Sequence, residues 1–242
     1  MINKTLLQTT VALSVVGLIL ITPASVEARH NDSSYSRAIS ALDDDAVEEF
    51  AIPILFGVKL KNIEPNFGDM RGGGTRLHEG QDIMGILGTP IISPTEAVVT
   101  GTGYGESAGN YVYTANPGGE RFVYMHLDEI GNIKAGDTIE AGDYIGTVGD
   151  TGNAKGAGAH LHFEIHTDEP TDPFPRITEE LTLKEKMVIV KKMFRDLDDE
   201  KGMAKFLVEN FRSDFQSALN SAYDLPTAIK TALKKEGVVD TS

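Results

Sequence analysis

A seven-residue stretch near the middle of the chain, His160 to His166, constrains the fold more than any other part of the sequence. Read as a β-strand it alternates with a period of two, so consecutive side chains point to opposite faces. One face carries His160, His162, Glu164 and His166, and the other carries Leu161, Phe163 and Ile165. Hydrophobic side chains suit a core, but three imidazoles on the facing side are unusual for an ordinary wet face. The pattern predicts a strand that is buried on one side and presents metal-binding groups on the other.

The region around this strand is rich in glycine and in short apolar runs. These runs occupy residues 91–92, 97–100, 111–113, 121–124, 138–139 and 144–148. Short strands at close spacing, separated by glycine and aspartate turns, indicate an all-β domain. We therefore expect a mainly β domain over residues 59–177.

After residue 177 the spacing of apolar residues changes to a helical pattern. Thr182 and Glu185 fit a capping box at the start of a helix. Apolar residues then recur at helical spacing in three groups, which are Met187 to Leu197, Met203 to Phe215, and Ile229 to Leu233. Pro226 and Gly237 mark the start and stop of the third helix. Residues 178–242 are thus predicted to form a small α-helical appendage whose apolar stripes build its own core.

The N-terminal residues have the features of an export signal. Lys4 precedes an apolar stretch at residues 11–21, Pro23 interrupts it, and Ala28 ends a small-residue cleavage site. The alternative is an uncleaved anchor, but the apolar run is shorter than the ~20 residues of a membrane span. We expect a signal peptide at 1–28, a polar and acidic segment at 29–58, and no stable membrane anchor after cleavage. The mature protein would be periplasmic, or secreted and associated with the cell wall.

Composition excludes several classes of function. The formal net charge of −14 argues against nucleic acid as a partner, because phosphate binding requires excess lysine and arginine. The chain has no cysteine, which excludes disulfides, thiolate nucleophiles and cysteine-ligated zinc. Any metal must therefore be held by histidine and carboxylate groups.

Three places in the β region carry groups suited to metal chemistry. His78 and Asp82 are four residues apart and share a face in an extended segment, His126 ends an apolar run, and a His-x-His pair begins the central strand. Two imidazoles and one carboxylate would leave a tetrahedral zinc with an open position, which is typical of catalytic sites. Further imidazoles nearby would serve as proton carriers. Such a set of metal ligands and proton carriers suits a metal-assisted hydrolase.

Several motifs occur in the order found in a known peptidase family. They are Phe67-Gly68, Arg71, His78 to Asp82, Gly88 to Pro90, Tyr124 to Leu127, Lys134 to Asp137, Gly142, Ile145-Gly146, Gly149, Thr151-Gly152 and His160 to Glu164. In these motifs the chain resembles the M23 peptidases, the LytM/lysostaphin-type zinc endopeptidases that act on peptidoglycan. The resemblance covers roughly Lys59 to Ile177 and implies an antiparallel β-sheet domain with its site in a groove.

The resemblance also implies a role for individual residues. His78, Asp82 and His162 would bind one zinc ion per chain, and a zinc-bound water would be the nucleophile. His126 and His160 would act as acid–base groups and stabilise the intermediate. Some relatives use a tyrosine upstream of the first ligand, but this chain has glycine at residues 72–74.

The resulting expectation is an exported zinc metalloendopeptidase that hydrolyses amide bonds in peptidoglycan peptides. The alternative is a non-catalytic LytM-type module that activates a cell-wall amidase. The C-terminal helices offer a surface for a regulatory protein. Two residues of the central strand are not assigned to the site. Glu164 is either a hydrogen-bond partner of a ligand imidazole or an unrelated polar residue, and His166 is expected at the surface.

Overall fold

The computed structural model describes residues 35–238 of the 242-residue chain. The expected signal peptide at 1–28 lies outside the described residues. Within the described part, no helix combines the length and the apolar character that crossing a membrane requires.

A seven-stranded sheet forms the centre of the fold, and all of its neighbouring strands are antiparallel. The strands of the chain are β1 (Phe50–Ala51), β2 (Met70–Arg71), β3 (Arg76–Leu77), β4 (Gln81–Met84), β5 (Pro90–Ile92), β6 (Ala97–Gly105), β7 (Gly109–Asn116), β8 (Glu120–Leu127), β9 (Thr138–Ile139), β10 (Tyr144–Thr147), β11 (His160–His166), β12 (Pro170–Thr171) and β13 (Ile177–Glu179). The sheet order is β12-β11-β8-β7-β6-β9, and β4 pairs with β11. The prediction of a mainly β, antiparallel fold is confirmed.

Strand β11 lies inside the sheet, between β8 on one side and β4 and β12 on the other. Its apolar residues Leu161, Phe163 and Ile165 are fully buried, as the alternation predicts. The Phe163 ring packs edge-on against Phe122, with ring centroids 5.4 Å apart. Burial of this face holds β11 in register, because a shift by one residue would turn the histidines into the core.

Four α-helices follow the sheet. They are α1 (Leu183–Met193), α2 (Glu200–Asn210), α3 (Arg212–Asn220) and α4 (Thr227–Lys235). The predicted capping box of Thr182 and Glu185 is present, with each residue's side chain bonded to the other's backbone N–H. The helical appendage is therefore confirmed.

The second predicted helix is wrong in one respect. The structure divides it at Phe211, whose φ of −126° and ψ of 35° are not helical. The Phe211 ring stacks on Phe56, with ring centroids 5.1 Å apart. This break lets α3 change direction and place Phe215 against the other side of Phe56 as well.

The apolar end of the N-terminal segment is part of both cores. Phe50 pairs in parallel with Ile177 and packs with the sheet core. Leu55 and Phe56 are buried among the helices. The same short stretch therefore joins the packing of the sheet to the packing of the helices.

Candidate metal centre

Three side chains from two strands and a turn converge on one point. His78 Nε2 lies 3.0 Å from Asp82 Oδ1 and 2.9 Å from His162 Nδ1. His162 Nδ1 lies 2.8 Å from the same carboxylate oxygen. Both imidazoles are largely buried. These are the three residues that the resemblance implies as zinc ligands.

The pairing of β4 with β11 brings these residues together. Asp82 is directly opposite His162 in the register of the two strands. His78 comes from the turn before β4, where Gly80 lies against β11. A Cβ atom at Gly80 would lie 2.6 Å from the Phe163 carbonyl oxygen and 2.9 Å from His162 Nε2. Only glycine allows this close approach.

Hydrogen bonds on the far side of each imidazole orient its lone pair. His78 Nδ1 lies 2.7 Å from the Asn66 carbonyl oxygen, so Nδ1 carries the proton and donates it. His162 Nε2 lies 2.8 Å from Glu164 Oε1 and donates in the same way. In their neutral forms the two imidazoles would therefore present Nε2 of His78 and Nδ1 of His162 as acceptors beside an acceptor oxygen of Asp82. Three acceptors at this spacing need a cation or a proton between them, which fits zinc.

The electrostatics of the site agree with this reading. Burial acts to lower the pKa of His162, but the hydrogen bonds to Asp82 and Glu164 outweigh it and raise that pKa to about 9. Burial acts to raise the pKa of Asp82, yet its bonds to the two imidazoles hold it well below the usual range. A proton on His162 thus occupies the position that suits a metal ion, and a metal must displace it.

His126 and His160 face the same point without joining the triad. Each donates its Nδ1–H to a backbone carbonyl, of Thr151 at 3.0 Å and of Gly158 at 2.8 Å. Each Nε2 is then an acceptor, and His160 Nε2 lies 3.8 Å from Asp82 Oδ1. The two rings have centroids 5.0 Å apart. The structure therefore brings all five predicted site residues into one cluster.

The backbone of His126 is strained. Its φ of 64° lies in the left-handed region, which non-glycine residues rarely adopt. The pairing of β7 with β8 is irregular beside it, and its N–H bonds to the Ala108 carbonyl. Burial and the neighbouring imidazoles lower the pKa of His126 to about 4, so the ring is neutral at pH 7. A strained backbone conformation of this kind, which the surrounding sheet holds in place at His126, is typical of a functional position.

Glu164 and His166 extend the network along β11. Glu164 Oε2 accepts from His166 Nε2 at 2.6 Å, while Oε1 accepts from His162. The side chains of Glu164 and His166 are only 8% and 11% exposed. The expectation that His166 is a surface residue is wrong, because it is the neighbour that holds Glu164.

Other groups around the centre had weak or no sequence signals. Arg71 donates from Nη2 to Asp82 Oδ2 at 2.8 Å, and it belongs to the motifs of the resemblance. Asn66 and Thr151 act through backbone carbonyls, which no side-chain pattern reveals.

The cluster lies on the wall of a groove of about 1220 Å³, and no tyrosine lines it among the described residues.

Comparison with known proteins matches this part of the chain to one family. Residues 76–173 match the group described as peptidase family M23, an interval that contains all five clustered residues. The chain is 31% identical over 140 residues to the peptidoglycan DD-endopeptidase ShyC of Vibrio cholerae, covering 54% of this chain and 31% of that protein. It is 32% identical over 140 residues to an L-Ala–D-Glu endopeptidase of Bacillus subtilis, covering 53% and 42%.

Among solved structures, the catalytic domain of lysostaphin from Staphylococcus simulans aligns with a TM-score of 0.44 at 29% identity, covering 50% of this chain and 96% of that chain. The chain spans less than half the length of the two curated relatives. The match nevertheless covers the whole cluster. Residues 76–173 therefore match peptidase family M23 over an interval that includes the whole cluster.

Proposed function

We propose that this chain is an exported zinc endopeptidase that hydrolyses amide bonds in peptidoglycan peptides. The observation that carries the proposal is the set of three acceptor atoms, on His78, Asp82 and His162, oriented by hydrogen bonds toward one point. The family match and the names of the relatives supply the substrate class.

In this proposal His78, Asp82 and His162 hold one zinc ion. When bound, zinc lowers the pKa of a water molecule and polarises the carbonyl of the scissile bond. His126 is neutral at pH 7, and its Nδ1–H is committed to Thr151, so Nε2 is the atom that takes up a proton from water and passes it to the leaving amine. His160 donates its Nδ1–H to the Gly158 carbonyl, which leaves Nε2 toward the site. Through this atom His160 orients the reacting groups and stabilises the tetrahedral intermediate.

The location and partners belong to the same proposal. The Vibrio cholerae relative is named as a peptidoglycan endopeptidase, and peptidoglycan lies outside the cytoplasmic membrane, so a chain with the same substrate would be exported to meet it. The signal-like sequence at residues 1–28 is consistent with export. The helices after residue 178 contribute none of their described residues to the cluster, and we propose their surface as the place where a regulatory protein would bind.

Digestion of purified peptidoglycan tests this proposal. Muropeptides are separated and weighed by mass spectrometry before and after treatment with zinc-loaded protein, and metal content is measured by atomic spectrometry. We expect one zinc per chain and new fragments from a single type of amide bond. His162→Ala should lose both zinc and cleavage, whereas His126→Gln should keep zinc and lose cleavage by about 10²-fold or more.

The same experiment separates the alternative function. A protein that binds zinc but produces no fragments, and that increases cleavage by an added cell-wall amidase, would be an activating module. A protein with no zinc and an unaltered fold would overturn the assigned ligands.

A further inference from the structure

The groove beside the metal centre has one rim that differs in charge from the rest of the molecule. This rim is the hairpin of β2 and β3, in which Arg71 pairs directly with Arg76 across the two strands. Glycines in left-handed conformations form its tip at residues 72–74. Both arginines line the groove, and no lysine lines it among the described residues.

The hairpin is attached directly to the metal centre. The backbone N–H of His78 donates to the Asp69 carbonyl, and the His78 carbonyl accepts from the Gly68 N–H. Arg71 donates to the outer oxygen of Asp82 at 2.8 Å. Arg76 and the metal cluster line the same groove, so a ligand that reaches Arg76 lies in the groove that the metal centre faces.

The two arginines differ in how they are neutralised. Arg71 forms an ion pair with Asp82, but within residues 35–238 Arg76 forms no ion pair with any carboxylate, although Glu64, Asp69 and Glu79 also line the groove. Like charges directly opposite each other in a hairpin are destabilising. The exposed guanidinium of Arg76 lies opposite that of Arg71 in a chain of net charge −14, and it is available to bind an anion.

The chemistry of the rim defines that anion. A guanidinium binds carboxylate in a planar, bidentate geometry. Met70 and Leu77 flank the arginines on the same hairpin and are 65% and 57% exposed. Apolar side chains next to a guanidinium that can bind a carboxylate suit a particular ligand. That ligand is a short peptide with aliphatic residues and a free carboxylate near the scissile bond.

We propose that Arg76 is a specificity-determining residue that binds a free carboxylate of the peptide substrate. This inference rests on the proposed function and narrows its substrate class to stem peptides with an unmodified acidic residue, as opposed to amidated stems or glycine bridges. Arg71 holds Asp82 and sets the position of the hairpin, and Arg76 receives the substrate.

A pair of matched substrates tests this inference. The probes are cross-linked stem peptides in which the α-carboxyl of D-glutamate is either free or amidated, and initial rates are followed by mass spectrometry. We expect the zinc-loaded protein to prefer the free carboxylate by about tenfold in kcat/KM, since a charge-assisted hydrogen bond is lost on amidation. The preference should lie mainly in KM.

The variants decide whether Arg76 is responsible. Arg76→Gln should remove the preference, so that the free and amidated peptides have equal kcat/KM, and Arg76→Lys should retain part of it. Arg195→Gln, which removes an exposed arginine from the helical part, is the matched control and should behave as the unaltered protein. An unchanged preference in Arg76→Gln would overturn the inference.

Binding measurements keep this test separate from the test of hydrolysis. The dissociation constants of both peptides are measured by calorimetry on metal-free protein, which lacks the ion that hydrolysis requires. A carboxylate preference that Arg76→Gln removes would support the inference even if no peptide is cleaved. Equal binding of the two peptides, together with equal cleavage, would refute it while leaving the proposed peptidase intact.

Discussion

At the scale of single residues, the site depends on where each imidazole carries its proton. The ligand imidazoles keep their outer N–H groups on the Asn66 carbonyl and on Glu164, which turns the inner nitrogens toward the position of the metal. The Glu164 carboxylate is in turn held by His166. Partners of this kind fix the ring orientation and raise the basicity of a ligand.

Replacing Glu164 should therefore weaken metal binding. Glu164→Gln keeps an oxygen for His162 Nε2 but removes the negative charge, so we expect zinc affinity to fall by roughly 10- to 100-fold. Competition with a chelator of known affinity measures the change. Glu169→Gln, an exposed glutamate beyond the same strand, is the control and should bind zinc normally. Equal affinities in the two variants would contradict the role of Glu164.

The pKa of His126 predicts how the stability of the metal-free protein depends on pH. Burial lowers this pKa from 6.5 to about 4, so the unfolded chain takes up a proton near pH 6.5 that the folded protein does not. The corresponding stabilisation is fully present above pH 6.5 and is lost as the pH falls toward 4. Between pH 6.5 and 4.5 we expect a loss of about 2 kcal/mol in the free energy of unfolding.

Urea titrations at several pH values check this slope. The other shifted groups of the cluster do not add to it in that window. The pKa of folded His162 is raised to about 9, so its stabilisation increases slightly as the unfolded chain takes up the same proton below pH 6.5, whereas Asp82 and Glu164 have lowered pKa values and lose most of their stabilisation below this window. His126→Gln should flatten the slope, and a variant that retains it would show that another group is titrating.

At the scale of elements, the loop after β10 determines where His126 points. Thr151 supplies the carbonyl for His126 Nδ1, and its hydroxyl accepts from the Asn110 N–H and donates to the Leu127 carbonyl. The next residue, Gly152, has a φ of 68° and packs against the backbone of Gly109.

A side chain at Gly152 should disturb both stability and the site. A Cβ atom there would lie 2.3 Å from the Gly109 nitrogen, so the loop must move. We expect Gly152→Ala to lower the free energy of unfolding by about 2 kcal/mol or more, and to slow peptide cleavage because the Thr151 carbonyl is displaced.

Gly73→Ala is the control for backbone strain alone. Its φ is 69°, and an added Cβ meets nothing within 4 Å. Urea unfolding and cleavage rates are measured on both variants. The difference between them separates the steric clash at Gly152 from the cost of a left-handed backbone, which both positions share. If both variants lose the same stability and keep full activity, the loop does not position His126.

At the scale of the whole molecule, residues 50–56 couple the sheet to the helices. Phe56 lies between Phe211 and Phe215, with ring centroids 5.1 and 5.5 Å away, and Gly142 of the sheet region approaches Ile189 of α1. No residue of the metal cluster lies in the helices. Helical packing and metal binding should therefore be separable.

Phe56→Ala tests this separation. Loss of a buried aromatic ring should lower the free energy of unfolding by about 3 kcal/mol or more, with the helices melting before the sheet. Calorimetry follows the transitions, and metal analysis should still find one zinc per chain. Val188→Ala removes an exposed side chain from α1 and should change neither. Loss of zinc from Phe56→Ala at temperatures where the sheet is folded would contradict the separation.

Some features of this protein were predictable because they depend on local pattern. The alternation in His160 to His166 predicts which side chains of β11 are buried, since strand geometry fixes the face of each residue. The capping box at Thr182 is equally local. The motifs placed His78, Asp82, His126, His160 and His162 in one site by resemblance, and the structure brings all five into one cluster.

Other features arise only when distant segments meet. The left-handed backbone of His126, the bond of Glu164 to both His162 and His166, and the break in the helix at Phe211 have no local signature. They depend on strand pairing and on the packing of Phe56 against the helices, which bring together residues far apart in the chain. Sequence alone thus determined which chemical groups this protein offers, whereas the tertiary structure decided which lone pairs face one another, because tautomer and orientation follow from partners that only the fold supplies.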